Sequence, residues 1–391
     1  RSSDLPGLYG ALSTSGGDAL SRYLWTANVN YRTDAEAGGG GASFVINRWL
    51  PVYTFAVDTR PVAAGQLLFV DPANPVDEAG DPLLLATDPP TIYWERRTTA
   101  AATVSWPYRL RESLFARYSL TYRTNLADLP AQVYGPSVPL QGYLGAISGG
   151  WRYSWSQATA YAISPEDARV VSFVGSLLTP WLGTYRRTES GELEPFTQVQ
   201  LTGELREYVV NPWVPNHVLA VRGGSGVTFG GADIIGNYYQ LGGSFGDGAF
   251  SVTPDESRML RGYPLGSDFG DLYWLASAEY RLPLAQVQRG VGTLPFFLRN
   301  VSAAGFVDAG NAFNNPAATL DRAATGTDLL QAAGTEPLVG VGAEVSVRMV
   351  LGWAVSLTGR FGYGVGLTGD RALTPAGGLL APAYARVGGS F

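Results

Sequence analysis

The sequence predicts an all-β fold, a transmembrane antiparallel β-barrel with long extracellular loops. Three observations predict it. Apolar residues recur at every second position over many separate stretches, with Arg and Glu on the opposite face in mid-stretch. Trp or Tyr stands near the ends of these stretches. The connections alternate between short and long. A strand with one apolar and one charged face, flanked by aromatic girdles, suits lipid outside and water inside. The strands of a soluble sandwich would be shorter, about 5–6 residues on average.

Fifteen strands follow in order: 7–14, 20–33, 40–49, 52–60, 96–107, 112–124, 143–157, 169–178, 196–209, 217–229, 271–282, 300–313, 338–350, 352–365 and 383–391. In 114–122, Leu114, Ala116, Tyr118, Leu120 and Tyr122 oppose Arg117, Ser119 and Thr121. In 339–349, Val339, Val341, Ala343, Val345, Val347 and Met349 oppose Glu344, Ser346 and Arg348. In 353–363, Trp353, Val355, Leu357, Phe361 and Tyr363 oppose Ser356, Thr358 and Arg360. Short connections fall at 50–51, 108–112, 210–216 and 350–352, and long ones at 61–95, 125–142, 179–195, 230–270, 314–337 and 366–382. Short turns belong on the periplasmic side, which puts the C-terminus there. Single-chain bacterial barrels have even strand numbers, so sixteen are expected. The sixteenth comes from upstream sequence or a separate chain, unless "YYQLGGSFG" at 238–246 is itself a strand.

Composition narrows the function classes. The 391 residues are 46% hydrophobic and include 50 Gly and 25 Pro, evenly spread, which suits a single barrel domain over 1–391. The longest uncharged stretch, from Leu129 to Trp151, is broken by Pro130, Pro136, Pro139 and several glycines, so a transmembrane helix is not expected. There is no Cys, hence no disulfide framework and no thiol chemistry. A net charge of −6 argues against nucleic acid as a partner. The only histidine, His217, follows a Pro-rich turn, and no nucleophile elbow, phosphate loop or metal-ligand spacing accompanies it. The chain is expected not to be an enzyme and to use no metal or cofactor.

Three segments stand out: "LRGYP" at 260–264 in the long loop 230–270, "GFVDAGNAF" at 305–313, and the ending "ARVGGSF". Together they resemble the BamA superfamily of outer-membrane insertases and translocases, also called the bacterial surface-antigen family, which includes TamA. In that family an R-G-F/Y loop tucks into the lumen. An F-x-D-x-G-x-x-aromatic pattern lies on the next strand but one, and Phe306, Asp308, Gly310 and Phe313 fit it. The opening "GLYGALSTSGGDALSRY" is similar to superfamily barrels that follow a TolB-like propeller.

The resemblance implies that Arg261 reaches into the lumen and pairs with an acidic wall residue. Asp308 faces inward because Val307 and Ala309 take the lipid face, and Glu279 faces inward because Tyr280 points out. An Arg fork bridges a carboxylate bidentately and stays charged. Gly262 permits a turn that a Cβ would hinder, and Tyr263 adds an aromatic body with a polar tip.

In relatives the first and last strands meet at a seam that can part toward lipid. Val387, Gly388, Gly389 and Phe391 form the closing-strand signal here, and the paired glycines weaken that strand. The function implied is insertion or translocation of polypeptide, or of lipid, through the lumen or the seam. The alternatives are an anchor for an upstream propeller or peptidase domain and a passive diffusion pore. The implied setting is the outer membrane of a Gram-negative bacterium, with lipid, lipopolysaccharide and a client polypeptide as partners. No periplasmic POTRA modules, through which the family receives clients, are visible in the sequence.

Overall fold

The computed structural model describes residues 9–33, 35–66, 68–70, 84–86, 92–126, 141–159, 161–188, 191–230, 239–243, 259–264, 267–290, 292–313, 337–352, 355–370, 372–375 and 382–389. These form two compact units, one of residues 1–151, 174–201 and 228–238, the other of 152–173, 202–227 and 239–391.

The first unit begins with β1 (Tyr9–Gly17), β2 (Tyr23–Arg32), β3 (Ala37–Ile46) and β4 (Val52–Gln66). Short β5 (Leu68–Val70) and β6 (Leu84–Ala86) pair with each other, and β7 (Ile92–Arg109) and β8 (Glu112–Asn125) follow. The pairing β1–β2–β3–β4–β7–β8 is an antiparallel meander.

Four strands divide their residues between the units: β9 (Gly142–Gln157), β10 (Asp167–Leu178), β13 (Gln198–Val210) and β14 (Val218–Phe229). Between them lie the short β11 (Tyr185–Arg187) and β12 (Leu193–Pro195), which pair as a hairpin in the first unit.

The second unit adds β15 (Tyr239–Leu241), β16 (Asp268–Gly270), β17 (Leu272–Gly290) and β18 (Phe296–Phe313). It ends with β19 (Leu338–Leu351), β20 (Val355–Gly366) and β21 (Ala383–Gly389). The pairing β14–β17–β18–β19–β20–β21 is again an antiparallel meander.

Fifteen described strands have 7 to 19 residues and six have only 3. The fifteen long ones correspond one to one with the strands expected from alternation. The differences lie at their ends. Strand β17 continues to Gly290, well past the expected end at 282, and β18 starts at Phe296 rather than 300. Pro283 reads as a strand breaker, but a register shift between Pro283 and Ala285 absorbs it, as bulges do for a residue without N–H. Segment 238–246 is not a long strand in its described part: Tyr239–Leu241 pairs only with Asp268–Gly270.

Alternation translates into two opposite surfaces. Val307 is 49% exposed while Asp308 beside it is fully buried. Phe55, Val57, Phe173, Val221, Val345 and Phe361 are likewise exposed at every-other positions. An apolar surface of this extent would aggregate in water and is stable against lipid tails. The opposite face carries most of the ion pairs among the described residues, while Arg169 and Glu207 pair on the apolar side near the ends of β10 and β13.

Candidate functional site

The site lies in the second unit, where residues 259–264 rest on the polar faces of β17 to β20. A single isolated bridge, Gly243 to Leu260, and the bond from Gly243 N to Tyr263 O hold the segment's outer side. On the inner side Leu373 N donates to Gly262 O, and Arg222 Nη2 donates to Met259 O.

The turn is possible only with glycine at its apex. Gly262 has φ +93°, and a Cβ there would stand 2.7 Å from Gly366 N and Val365 C. On β19, a Cβ at Gly340 would land inside the van der Waals envelope of Arg261 O. The loop backbone thus lies directly on bare strand backbone.

Arg261 is 2% exposed and reaches two carboxylates. Its Nε donates to Asp308 Oδ2 at 2.7 Å and its Nη2 to Asp308 Oδ1 at 2.8 Å, a bidentate fork. Its Nη1 lies 2.7 Å from Glu279 Oε1. The Arg261 backbone N–H adds a bond of 3.1 Å to Asp308 Oδ2. Ser277 Oγ donates to Asp308 Oδ1 at 2.6 Å, so the carboxylate is saturated. Glu279 shares its charge with Arg281, 2.6 Å away. The guanidinium carbon stands 3.6 Å over the centre of the Phe306 ring, a desolvated cation–π contact. Burial alone would lower the pKa of Arg261, but the Asp308 bonds and the Glu279 charge outweigh it and raise the pKa.

Tyr263 anchors the other end of the segment. It is fully buried. Its hydroxyl accepts from Val339 N at 3.0 Å and Thr368 N at 3.2 Å. Its single proton serves one of the Val339 and Thr368 carbonyls, both at 2.8 Å. Leu260, Tyr263, Leu275 and Leu338 form a small apolar cluster around the anchor.

The structure therefore brings Arg261, Gly262, Tyr263, Asp308, Glu279 and Phe306 into one constellation. Gly310 adjoins it: a Cβ there would stand 3.0 Å from Leu260 Cδ1. Phe313 is placed apart, at the end of β18 opposite Leu272. Val387, Gly388 and Gly389 are also remote, paired with Gly359, Thr358 and Leu357 on β20. Phe391 lies outside the described residues. Sequence reasoning turned Ser277 inward without giving it a role, and it missed Gly340. Their signals were present: Ser277 shares the inward face with Glu279, and Gly340 is a bare inward position between two valines.

No protein-family model and no curated protein sequence matches the chain. Solved structures do match. A BamA from Haemophilus ducreyi lacking POTRA domains 1–3 shares 14% identity at a TM-score of 0.54, over 93% of this chain and 66% of its own length. CdiB from Escherichia coli shares 13% identity at a TM-score of 0.53, over 97% of this chain and 58% of its own length. The chain has the fold of the BamA-superfamily outer-membrane barrels. At these identities the likeness speaks for the fold alone. This chain spans less than two thirds of either BamA-superfamily neighbour. The barrel fold accounts for the exposed apolar face, which lies against lipid when the strands span a bilayer.

Proposed function

We propose that this chain is an outer-membrane barrel that inserts or translocates polypeptide without a cofactor, with residues 259–264 as an internal brace. The observation that carries the reading is the clamp of Arg261 on Asp308 and Glu279. A passive pore gains nothing from filling its polar interior with a loop held by a buried guanidinium. A barrel that must deform at one edge while a client passes needs the wall beside that edge locked. The clamp ties the loop to β17 and β18, and the Tyr263 hydroxyl ties it to β19. Four consecutive strands, β17 to β20, thereby meet one rigid insert. Among the described residues, strand β21 pairs with β20, and Tyr384 OH donates to Glu344 at 3.1 Å. In this reading β21 lies at the seam, the C-terminus is periplasmic, and lipid, lipopolysaccharide and an unfolded client are the partners. The role of the named site residues, the single-domain assignment to 1–391 and the upstream source of a sixteenth strand belong to the same proposal.

The test is reconstitution of the purified chain in liposomes, followed by the folding rate of a urea-unfolded outer-membrane barrel polypeptide. The expected outcome is faster folding than in empty liposomes, with the gain lost in Arg261→Ala. Ohmic conductance without faster folding would replace the reading with a diffusion pore. Neither activity would leave the chain as an anchor for another domain.

A further inference from the structure

The connection 158–166 between β9 and β10 is longer than the ~2–5 residues of most hairpin loops. It is built as a unit. The Glu166 carboxylate accepts from Thr159 N and Thr159 Oγ1, both at 3.1 Å, and Glu166 N donates to Gln157 O at 3.0 Å. Ala162 N is spent inside the turn, on Thr159 O. The tip extends to the polar face of two distant strands of the same unit. Gln286 Nε2 on β17 donates to Tyr161 O at 2.8 Å, and Arg348 Nη1 on β19 donates to Ala162 O at 3.4 Å. Ile163 and Ser164 are 4% and 3% exposed.

Gln286 and Arg348 belong to one cross-strand row. Gln286 faces Asn300, and Asn300 faces Arg348. Asn300 is 4% exposed, and its Oδ1 has no hydrogen-bond partner among the described residues, although buried polar atoms are normally paired. The other cations on this face are engaged: Arg281 by Glu279 and Arg360 by Glu344. Among the described residues Arg348 forms no ion pair and spends its fork on a carbonyl.

The row thus offers donor, acceptor, donor. A main chain offers the complement, carbonyl, N–H, carbonyl. The chain's own turn satisfies both donors and leaves the acceptor empty, because its Ala162 N–H points back into the turn. An extended segment could satisfy all three.

We propose that the row Gln286–Asn300–Arg348 is a binding site for the main chain of an extended polypeptide, and that 158–166 is its resident occupant, displaced when such a polypeptide arrives. The inference rests on the polypeptide-transport reading and names a site and a plug within it. Recognition is sequence-independent, since the three side chains read peptide groups rather than side chains. Displacement is feasible because, among the described residues, the row holds the tip by two hydrogen bonds, one of them long.

The experiment measures binding of a fluorescein-labelled Gly-Ser peptide, unfolded and without charged side chains, to the purified chain in detergent. Replacing residues 161–165 by a Gly-Ser segment should tighten binding by roughly tenfold over wild type. Adding Gln286→Ala and Arg348→Ala to that variant should abolish the gain. Equal affinity for wild type and the replaced variant, or a gain that survives the double substitution, overturns the proposal. Should the replaced variant fail to fold, amide exchange on the wild-type chain decides. Saturating peptide should accelerate exchange at Ile163 and Ser164, and unchanged exchange overturns the proposal. Peptide binding without client folding in liposomes would sink the transport reading and keep this site. Client folding without peptide binding would do the reverse.

Discussion

Each unit buries an arginine–carboxylate cluster, and the two are built differently. In the first unit Glu95 on β7 is 1% exposed and takes Arg123 on β8 through bonds of 2.7 and 3.0 Å. It also accepts from Arg97 Nε at 2.9 Å, two positions along its own strand. All three residues belong to strands that already pair, since Arg97 faces Arg123 and Glu95 faces Asn125. That cluster neutralises a face. In the second unit the cation comes from a turn, and its carboxylates lie 18 and 47 positions further along, at Glu279 and Asp308. Removing the first cluster leaves the β7–β8 ladder in place. Removing the second leaves the segment to one isolated bridge and the Tyr263 anchor. The difference separates a lining charge from a tether.

The largest effect should come from breaking the tether. Arg261→Ala leaves Asp308 fully buried with only the Ser277 hydroxyl and the loop N–H, and breaking a buried pair costs about 3–5 kcal/mol. Unfolding in urea, followed by heat-modified gel mobility, should report that loss. The double variant Arg261→Ala, Asp308→Ala should be no less stable than Arg261→Ala alone, because the orphaned charge is gone; additive losses would break the pairing. Chymotrypsin should cut the variant at Leu260 or Tyr263 and spare the wild type.

Glu95→Ala should cost less, roughly 2–3 kcal/mol, between the surface and buried limits. Two arginines are left side by side, but the Arg97 side chain is already 35% exposed and can turn to water. The 259–264 segment should stay resistant to chymotrypsin. Cleavage there in Glu95→Ala would mean that the two clusters are coupled and that the contrast between lining charge and tether is wrong.

This contrast also explains what the sequence disclosed. Arg261 and Asp308 were legible because the turn and the strand each carry a patterned motif, and alternation fixes which way Asp308 points. Glu95 and Arg123 were not, since neither "YWERR" nor "TYRTN" signals a partner until the β7–β8 register is known. Long strands were legible because repeated alternation sums many weak signals. The three-residue strands β5, β6, β11, β12, β15 and β16 have no room for a period. Gly340 was read past because attention falls on the valines beside it. A bare inward position next to a long loop is the trace of backbone lying on backbone.

A smaller effect is expected at the other end of the segment. Tyr263→Phe keeps the ring in its apolar cluster and removes a hydroxyl shared by Val339 and Thr368. Of the two N–H groups it served, that of Val339 retains a substitute, since Thr368 Oγ1 also accepts from it at 2.9 Å. A loss of about 1–2 kcal/mol follows, with the Arg261 clamp intact and no new chymotrypsin site. Cleavage after Leu260 in this variant would show that the anchor, rather than the clamp, holds the loop.

The smallest effect isolates burial from geometry. Arg169 and Glu207 form a bidentate pair with bonds of 2.6 and 2.8 Å, as short as the 2.7 and 2.8 Å of Arg261 and Asp308. The side chains of the first pair are 57% and 26% exposed, against 2% and 0% for the second. The exposed pair stands near strand ends, two residues into β10 and three from the end of β13. Water there screens it and solvates either partner when the other is removed, so Arg169→Ala should cost only about 0–1 kcal/mol. The same fork in the same chain should then differ several-fold in consequence, with desolvation of the orphaned carboxylate as the largest difference and the Glu279 and Phe306 contacts of Arg261 adding to it. If Arg169→Ala and Arg261→Ala destabilise equally in the same urea titration, burial is not what makes the clamp strong, and the tether must draw its strength from the backbone contacts at Gly262 and Gly340 instead.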